Sequence, residues 1–199
     1  MKLKEIIRDL KVLDMTADPE TEIAGISYDS RVTEPGDLFA AWRGFSADGH
    51  RFIPMAVEKG ARAVLCETPP TDGTPYVQVA DSRYALAIAS RNFFGDPASE
   101  MKLIGFTGTS GKTSSTQLLK HVLEETLGAK VGLIGTNGNM IGDELLHTEH
   151  TTPESYELHK LFRRMADAGC THVVMEVSSH SLTLERVAAS ASMWACLPT

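Results

Sequence analysis

A run of small and hydroxyl-bearing residues, Gly105-Phe106-Thr107-Gly108-Thr109-Ser110-Gly111-Lys112-Thr113-Ser114, carries the clearest chemistry in the sequence. Such residues let a backbone curl until its N–H groups point inward at an anion. A helix starting beyond the loop adds partial positive charge on the same side. In that arrangement Lys112 is a mobile point charge for β- and γ-phosphates, and the Thr113 hydroxyl is placed to ligate Mg²⁺. The general form of the loop has glycine five residues before Gly111; Phe106 stands there, so the loop is a variant. Glu176, followed by Val177-Ser178-Ser179-His180, is the second candidate. An acidic residue closing an apolar strand can share the Mg²⁺; the plain alternative is a carboxylate in a solvated turn. His180 could touch ligand or be structural. Thr151 and Thr152 either cap a helix or offer hydroxyls to a second anion. The remaining histidines show no ligand spacing, and no Ser/His/Asp or Cys/His arrangement stands out.

The elements around these residues follow from hydrophobic periodicity. Residues 101–106 form an apolar run that predicts a buried strand, and a helical pattern after the loop places Leu118, Leu119, Val122, Leu123 and Leu127 on one face. Strand, glycine loop and helix is the context a phosphate-binding loop requires. Strands are expected at 130–134 and 171–177, a further one at 192–197, and a glycine-rich loop at 135–142. Thr151-Thr152-Pro153-Glu154 opens a helix running to about residue 168, with Thr152 as N-cap and Pro153 in the first position. In the first half, helices are expected at 3–13, 52–59 and 83–94, the last capped by Asp81-Ser82, and strands at 23–27, 38–42, 63–66 and 76–79. The breaker cluster Gly95-Asp96-Pro97 divides the chain into domains 1–97 and 98–199, both α/β, the second built on a parallel sheet with right-handed crossovers.

Composition narrows the partners. Hydrophobic content of 42% and charged content of 23% are ordinary for a globular protein. No stretch approaches the roughly 18 apolar residues of a membrane span. The start, Met1-Lys2-Leu3-Lys4-Glu5, puts charge where a signal peptide has its apolar core. A net charge of −7 argues against a nucleic-acid backbone as the main partner. Cys66, Cys170 and Cys196 lack ligand spacing and read as free buried thiols of a reducing cytoplasm.

The loop 105–113 resembles the ATP loop of the Mur ligases, the ATP-dependent amide-bond-forming enzymes of cell-wall precursor synthesis, where the Phe106 variation is ordinary. Asp29-Ser30-Arg31, Pro35-Gly36-Asp37-Leu38-Phe39 and Asp48-Gly49 are similar to that family's N-terminal nucleotide-sugar domain. Thr151-Thr152-Pro153-Glu154 and Glu176-Val177-Ser178-Ser179-His180 resemble its third-residue-adding members. The resemblance implies that Gly108, Thr109, Ser110, Gly111, Lys112, Thr113 and Ser114 bind ATP, with Lys112 and Glu176 catalytic and Thr113 and Glu176 serving Mg²⁺. It implies that Tyr28, Ser30, Phe45, Ser46 and Ala47 hold a uridine nucleotide, and that Thr151, Thr152, Ser178 and Arg186 contact a muramoyl peptide. The implied reaction adds diaminopimelate or lysine to UDP-N-acetylmuramoyl-L-alanyl-D-glutamate through an acyl phosphate. A cytoplasmic monomer without nucleic-acid or membrane partners is expected. The family's Thr-Asn-Leu segment, Asp-His pair, later lysine and amino-acid-binding domain have no counterpart here, so an inactive fragment is expected; the alternative is a module that binds UDP-nucleotide and ATP without chemistry. A small kinase or GTPase would need a base-recognition motif that the sequence lacks.

Overall fold

The computed structural model describes residues 1–44, 48–146, 151–190 and 194–196. The chain divides into two compact units, Met1–Phe93 and Phe94–Thr199. Each is an α/β layer structure around its own sheet.

In the first unit, strands β1 (Asp14–Met15), β2 (Gly25–Ser27), β3 (Asp37–Ala41), β4 (Ala63–Cys66) and β5 (Tyr76–Gln78) lie in the order β1-β5-β4-β3-β2. β2 to β5 are parallel, and β1 closes one edge antiparallel. Every residue of β3 and β4 is buried, as parallel strands covered on both faces require. Phe39, Ala41, Val64 and Cys66 form a cluster with Ile53 and Ala56 of helix α2 (Ile53–Glu58). The alternate residues Leu38 and Leu65 occupy the other face, and helix α3 (Ser82–Phe93) packs against the same two strands. Asp81 Oδ1 accepts from the amides of Arg83 (2.9 Å) and Tyr84 (3.0 Å), the expected cap. Helix α1 is only Leu3–Ile6, where the periodicity suggests a helix to residue 13. The reason is competition from the sheet. Leu13 N–H bonds the Gln78 carbonyl at 2.8 Å, and Asp14 and Met15 pair with β5, drawing the chain out of helical geometry.

The second unit has six strands: β6 (Lys102–Phe106), β7 (Val131–Ile134), β8 (Asn139–Ile141), β9 (Glu144–Leu146), β10 (His172–Glu176) and β11 (Trp194–Cys196), in the order β11-β6-β10-β7-β8-β9. The four strands β11, β6, β10 and β7 are parallel. Helix α4 (Lys112–Leu127) covers one face through Leu119 and Leu123, which pack on Phe106, Val131, Leu133 and Val174. Helix α5 (Ser155–Asp167) covers the other through Leu158, Leu161, Phe162 and Met165.

Three details differ from the sequence reading. Residues 135–142 are not all loop: β8 turns back antiparallel on β7, with Ile141 buried, so the parallel core gains a two-strand antiparallel edge. Gly138 (φ +116°) and Gly142 (φ +58°) supply turn conformations that side chains disfavour. On α4 the sheet-facing stripe is Thr116 and Lys120, which are buried, with Leu119 and Leu123, which are partly buried, whereas Leu118, Val122 and Leu127 face solvent, about one residue's rotation away. Thr152 is not a helix cap. Glu154 is extended (φ −63°, ψ 159°) and α5 starts at Ser155, leaving the Thr152 hydroxyl for another use.

Candidate phosphate site and nucleotide pocket

The parallel register brings three strand ends together. Phe106 of β6 lies beside Glu176 of β10, and Ile134 of β7 lies beside Met175, so the segments that follow emerge at one edge. Ligands of open α/β sheets bind at this carboxyl edge. From β6 the chain passes through Gly108 (φ +149°) and Gly111 (φ +77°) into α4. The first backbone bond of α4 runs from Ser115 N–H to Gly111 C=O at 2.9 Å, so the amides of Lys112, Thr113 and Ser114 precede its ladder. They face outward at the positive end of a 16-residue helix. Thr109, Ser110 and Gly111 are exposed. Lys112 Nζ donates to the Gly108 carbonyl at 2.6 Å, which holds the ammonium over the loop.

Glu176 is the centre of the edge. It is 2% exposed, yet its carboxylate has three donors: Thr113 Oγ1 to Oε2 (3.1 Å), Thr136 Oγ1 to Oε2 (3.1 Å) and Thr136 N–H to Oε1 (3.0 Å). These hydrogen bonds offset part of the cost of burying a carboxylate. Thr152 Oγ1 donates to the Glu176 carbonyl at 2.9 Å and is fully buried. Thr151 Oγ1 lies 3.1 Å from Thr136 Oγ1. Ser178 caps helix α6 (Ser179–Thr183) by accepting from Ser181 N–H at 3.1 Å, and its own amide lies 3.4 Å from Thr152 Oγ1. Arg186 donates to the Thr152 carbonyl at 3.0 Å and pairs with Glu154 at 2.5 Å. Its Nε is buried without a hydrogen-bond partner among the described residues. His180 is exposed on α6.

The described residues contain no cluster of three or more His, Cys, Asp or Glu able to cage a metal ion. The donor set at the edge is instead one carboxylate with hydroxyls. That fits Mg²⁺, which binds through one or two carboxylates and takes its remaining ligands from phosphates and water.

In the first unit, Tyr28 follows β2 and Trp42 follows β3 at their shared carboxyl edge. They wall a cavity of about 510 Å³ with Ser30, Phe52 and Met55. The Tyr28 and Trp42 rings lie 5.6 Å apart, and the Arg83 guanidinium sits 4.7 Å over the Trp42 ring. Ser30 Oγ donates to Met55 Sδ at 3.3 Å. At the rim Arg31 binds both oxygens of Asp29, and its guanidinium holds that carboxyl below the usual carboxylate range. Phe45, Ser46 and Ala47, expected here from the sequence, lie outside the described residues.

Two family descriptions match the chain: the Mur ligase family, catalytic domain, over residues 22–100, and the Mur ligase middle domain over residues 106–195. The chain belongs to the Mur ligase family. It is 48% identical over 190 residues to the UDP-N-acetylmuramoyl-L-alanyl-D-glutamate–2,6-diaminopimelate ligase of Bacteroides fragilis, covering 94% of this chain and 39% of that protein. The enzyme of the same name from Clostridium tetani is 47% identical over 192 residues, with the same coverage. The chain thus spans about 39% of the length of these Mur ligase relatives. A solved structure of a UDP-N-acetylmuramoyl-L-alanyl-D-glutamate–2,6-diaminopimelate ligase superposes with a TM-score of 0.80 and 27% identity, over 95% of this chain and 38% of that one. MurF from Acinetobacter baumannii shares the fold at a TM-score of 0.63 and 23% identity, over 89% of this chain and 36% of that one.

Within the Mur ligase chain, the second unit brings Thr113, Thr151, Thr152, Ser178 and Glu176 into one connected hydrogen-bond network, with Arg186 on its Thr152 side. Sequence reasoning missed Thr136 there, and Trp42, Phe52, Met55 and Arg83 in the first unit. One signal was available for two of them: Thr136 and Trp42 each follow the carboxyl end of a parallel strand. Among the described residues no helix is long and apolar enough to cross a membrane.

Proposed function

We propose that this chain supplies the uridine-nucleotide and ATP sites of a ligase that adds a diamino acid, 2,6-diaminopimelate in the first instance, to UDP-N-acetylmuramoyl-L-alanyl-D-glutamate. The observation that carries this reading is the meeting of the Thr113 and Thr136 hydroxyls on the buried Glu176 carboxylate, beside the free amides that open α4. The names of the relatives supply the substrate.

In this reading the amides of residues 108–114 and the Lys112 ammonium hold the terminal phosphates of ATP, and Thr113 and Glu176 hold Mg²⁺. When bound, the metal neutralises charge developing on the transferring phosphoryl group. The loop amides and Lys112 orient that group toward the substrate carboxylate, so catalysis is mostly positioning and fixed charge. Thr151, Ser178 and Arg186 face the muramoyl peptide, while the buried Thr152 holds the Glu176 backbone behind them. Tyr28, Ser30 and Trp42 receive the uridine. The substrate carboxylate would attack the γ-phosphorus of ATP and release ADP, leaving an acyl phosphate; the amine of the diamino acid would then attack the acyl carbon, expel inorganic phosphate and lose a proton to give the amide.

Calorimetric titration of the chain with UDP-N-acetylmuramoyl-L-alanyl-D-glutamate and then with Mg-ATP tests the proposal. Saturable binding of both is expected, and binding of neither refutes it. A second reading is a module that binds both nucleotides without turnover. Amide product from the chain with ATP, substrate and 2,6-diaminopimelate would exclude that second reading.

A further inference from the structure

Thr136 occupies an unusual place in the Glu176 network. It sits two residues past the end of β7 and grips both carboxylate oxygens, one through its amide (3.0 Å) and one through its hydroxyl (3.1 Å). A residue that donates through backbone and side chain together fixes the plane of a carboxylate as well as its position. The approach is possible because the preceding residue is glycine: a Cβ on Gly135 would lie 3.1 Å from Glu176 Cδ and closer still to Oε1.

The direction of the hydrogen bonds follows from donor counts. A carboxylate only accepts, so the Thr136 hydroxyl spends its one proton on Glu176 Oε2. In the Thr136–Thr151 contact of 3.1 Å, Thr151 is therefore the donor. Donation runs from Thr151 to Thr136 to Glu176. Thr136 is also exposed, while Glu176 is 2% exposed, so this hydroxyl stands between solvent and the buried carboxylate.

We propose that Thr136 is a positioning residue of the metal site: it holds the Glu176 carboxylate in the orientation that receives a divalent cation together with a nucleotide. The inference rests on the reading of the edge as an ATP site. Partners of this kind spare the ligand a reorganisation when the ion arrives, and losing one typically weakens metal affinity about 10–100-fold.

The test compares Thr136→Val and Thr136→Ala, which keep the amide and lose the hydroxyl, with Thr136→Ser, which keeps both. Two hydroxyl-free variants keep the test open should the extra methyl of valine, set against the carboxylate, disturb the turn. Each 199-residue chain is titrated with ADP, once with Mg²⁺ and once with a chelator. The original chain and Thr136→Ser should bind ADP more tightly with Mg²⁺. Thr136→Val and Thr136→Ala should lose about 10–100-fold of affinity in Mg²⁺ and keep their metal-free affinity, which the loop amides and Lys112 set. An equal loss in both conditions would overturn the role, because a merely structural residue behaves that way. An undiminished Mg²⁺ gain in both hydroxyl-free variants would overturn it too. A chain that gains no ADP affinity from Mg²⁺ would instead refute the ATP-site reading, and the inference with it.

Discussion

Gly135→Ala probes how tightly the ends of β7 and β10 are joined. Gly135 is not among the glycines at positive φ, so alanine meets no backbone penalty there. In open space the change would stabilise by about 0.4–1 kcal/mol, by restricting the unfolded chain. Here the new Cβ would fall under 3.0 Å from Glu176 Oε1, 3.1 Å from Cδ and 3.3 Å from Cγ. Glu176 has little room to yield, being 2% exposed and held by three hydrogen bonds. Overpacking of this kind costs about 1–3 kcal/mol. Pulling the carboxylate off one donor costs about 1.5–3 kcal/mol more. The net expectation is a loss of about 2–5 kcal/mol from the second unit. In a Glu176→Ala background the obstructing atoms are gone, and Gly135→Ala should cost under about 0.5 kcal/mol. Hydrogen exchange at β6 and β10 amides across a urea series reads the second unit separately, since two units need not unfold as one. A penalty equally large in both backgrounds would refute the reasoning, because the cost would then arise away from the carboxylate.

Three further outcomes are expected. Lys112→Met should weaken ADP and ATP binding by about 1.5–3 kcal/mol in a calorimetric titration and leave stability nearly unchanged, because among the described residues its ammonium bonds only the Gly108 carbonyl. Trp42→Ala removes the ring that meets Tyr28 and underlies Arg83, so it should weaken UDP binding and cost the first unit about 1–2 kcal/mol in urea unfolding, with Trp42→Phe intermediate. Burial pushes the Cys66 thiol up to about 11 and raises that of Cys170. The folded state therefore favours the neutral thiols, and stability held below about pH 9 should fall as pH rises toward 11, with a shallower slope in Cys66→Ala. In a Cys196→Ser background, native chain should leave a thiol reagent unconsumed until urea unfolds it.

The fold was legible wherever one period dominated. The short apolar runs of β4, β6, β7 and β10, bounded by turn residues, read as strands, and Asp81 announces α3 through the two amides that it caps. The errors fall where a partner distant in sequence decides. Residues 3–13 carry a helical stripe, but β5 offers Leu13 and Asp14 a ladder, and ladder bonds end the helix at Ile6. Residues 139–141 look like loop because their glycine neighbours dominate composition, yet β7 presents an open edge that a hairpin can satisfy. On α4 a five-residue apolar list was too broad, since only one rotation of the helix sets Leu119 and Leu123 on the sheet.

The site was legible in proportion to how much of its chemistry is local. A phosphate loop is one continuous segment, so spacing alone finds Gly108, Gly111, Lys112 and Thr113. The Glu176 carboxylate is different: its three donors come from residues 113 and 136, which are 63 and 40 positions away along the chain. Only the parallel register of β6, β10 and β7 makes those distances short. Thr152 shows the same limit from the other side. Its sequence neighbours read as a helix start, and capping would have explained it fully; its hydroxyl is bound instead to the Glu176 carbonyl. The same register argument says what a distant residue must do to matter here. To bind that carboxylate through backbone and side chain together, it must leave a strand at the edge shared with Phe106 and Glu176, carry a donor, and follow a residue small enough to let the backbone approach. Gly135-Thr136 meets all three conditions, and that is why a threonine with no motif of its own lies at the centre of the site.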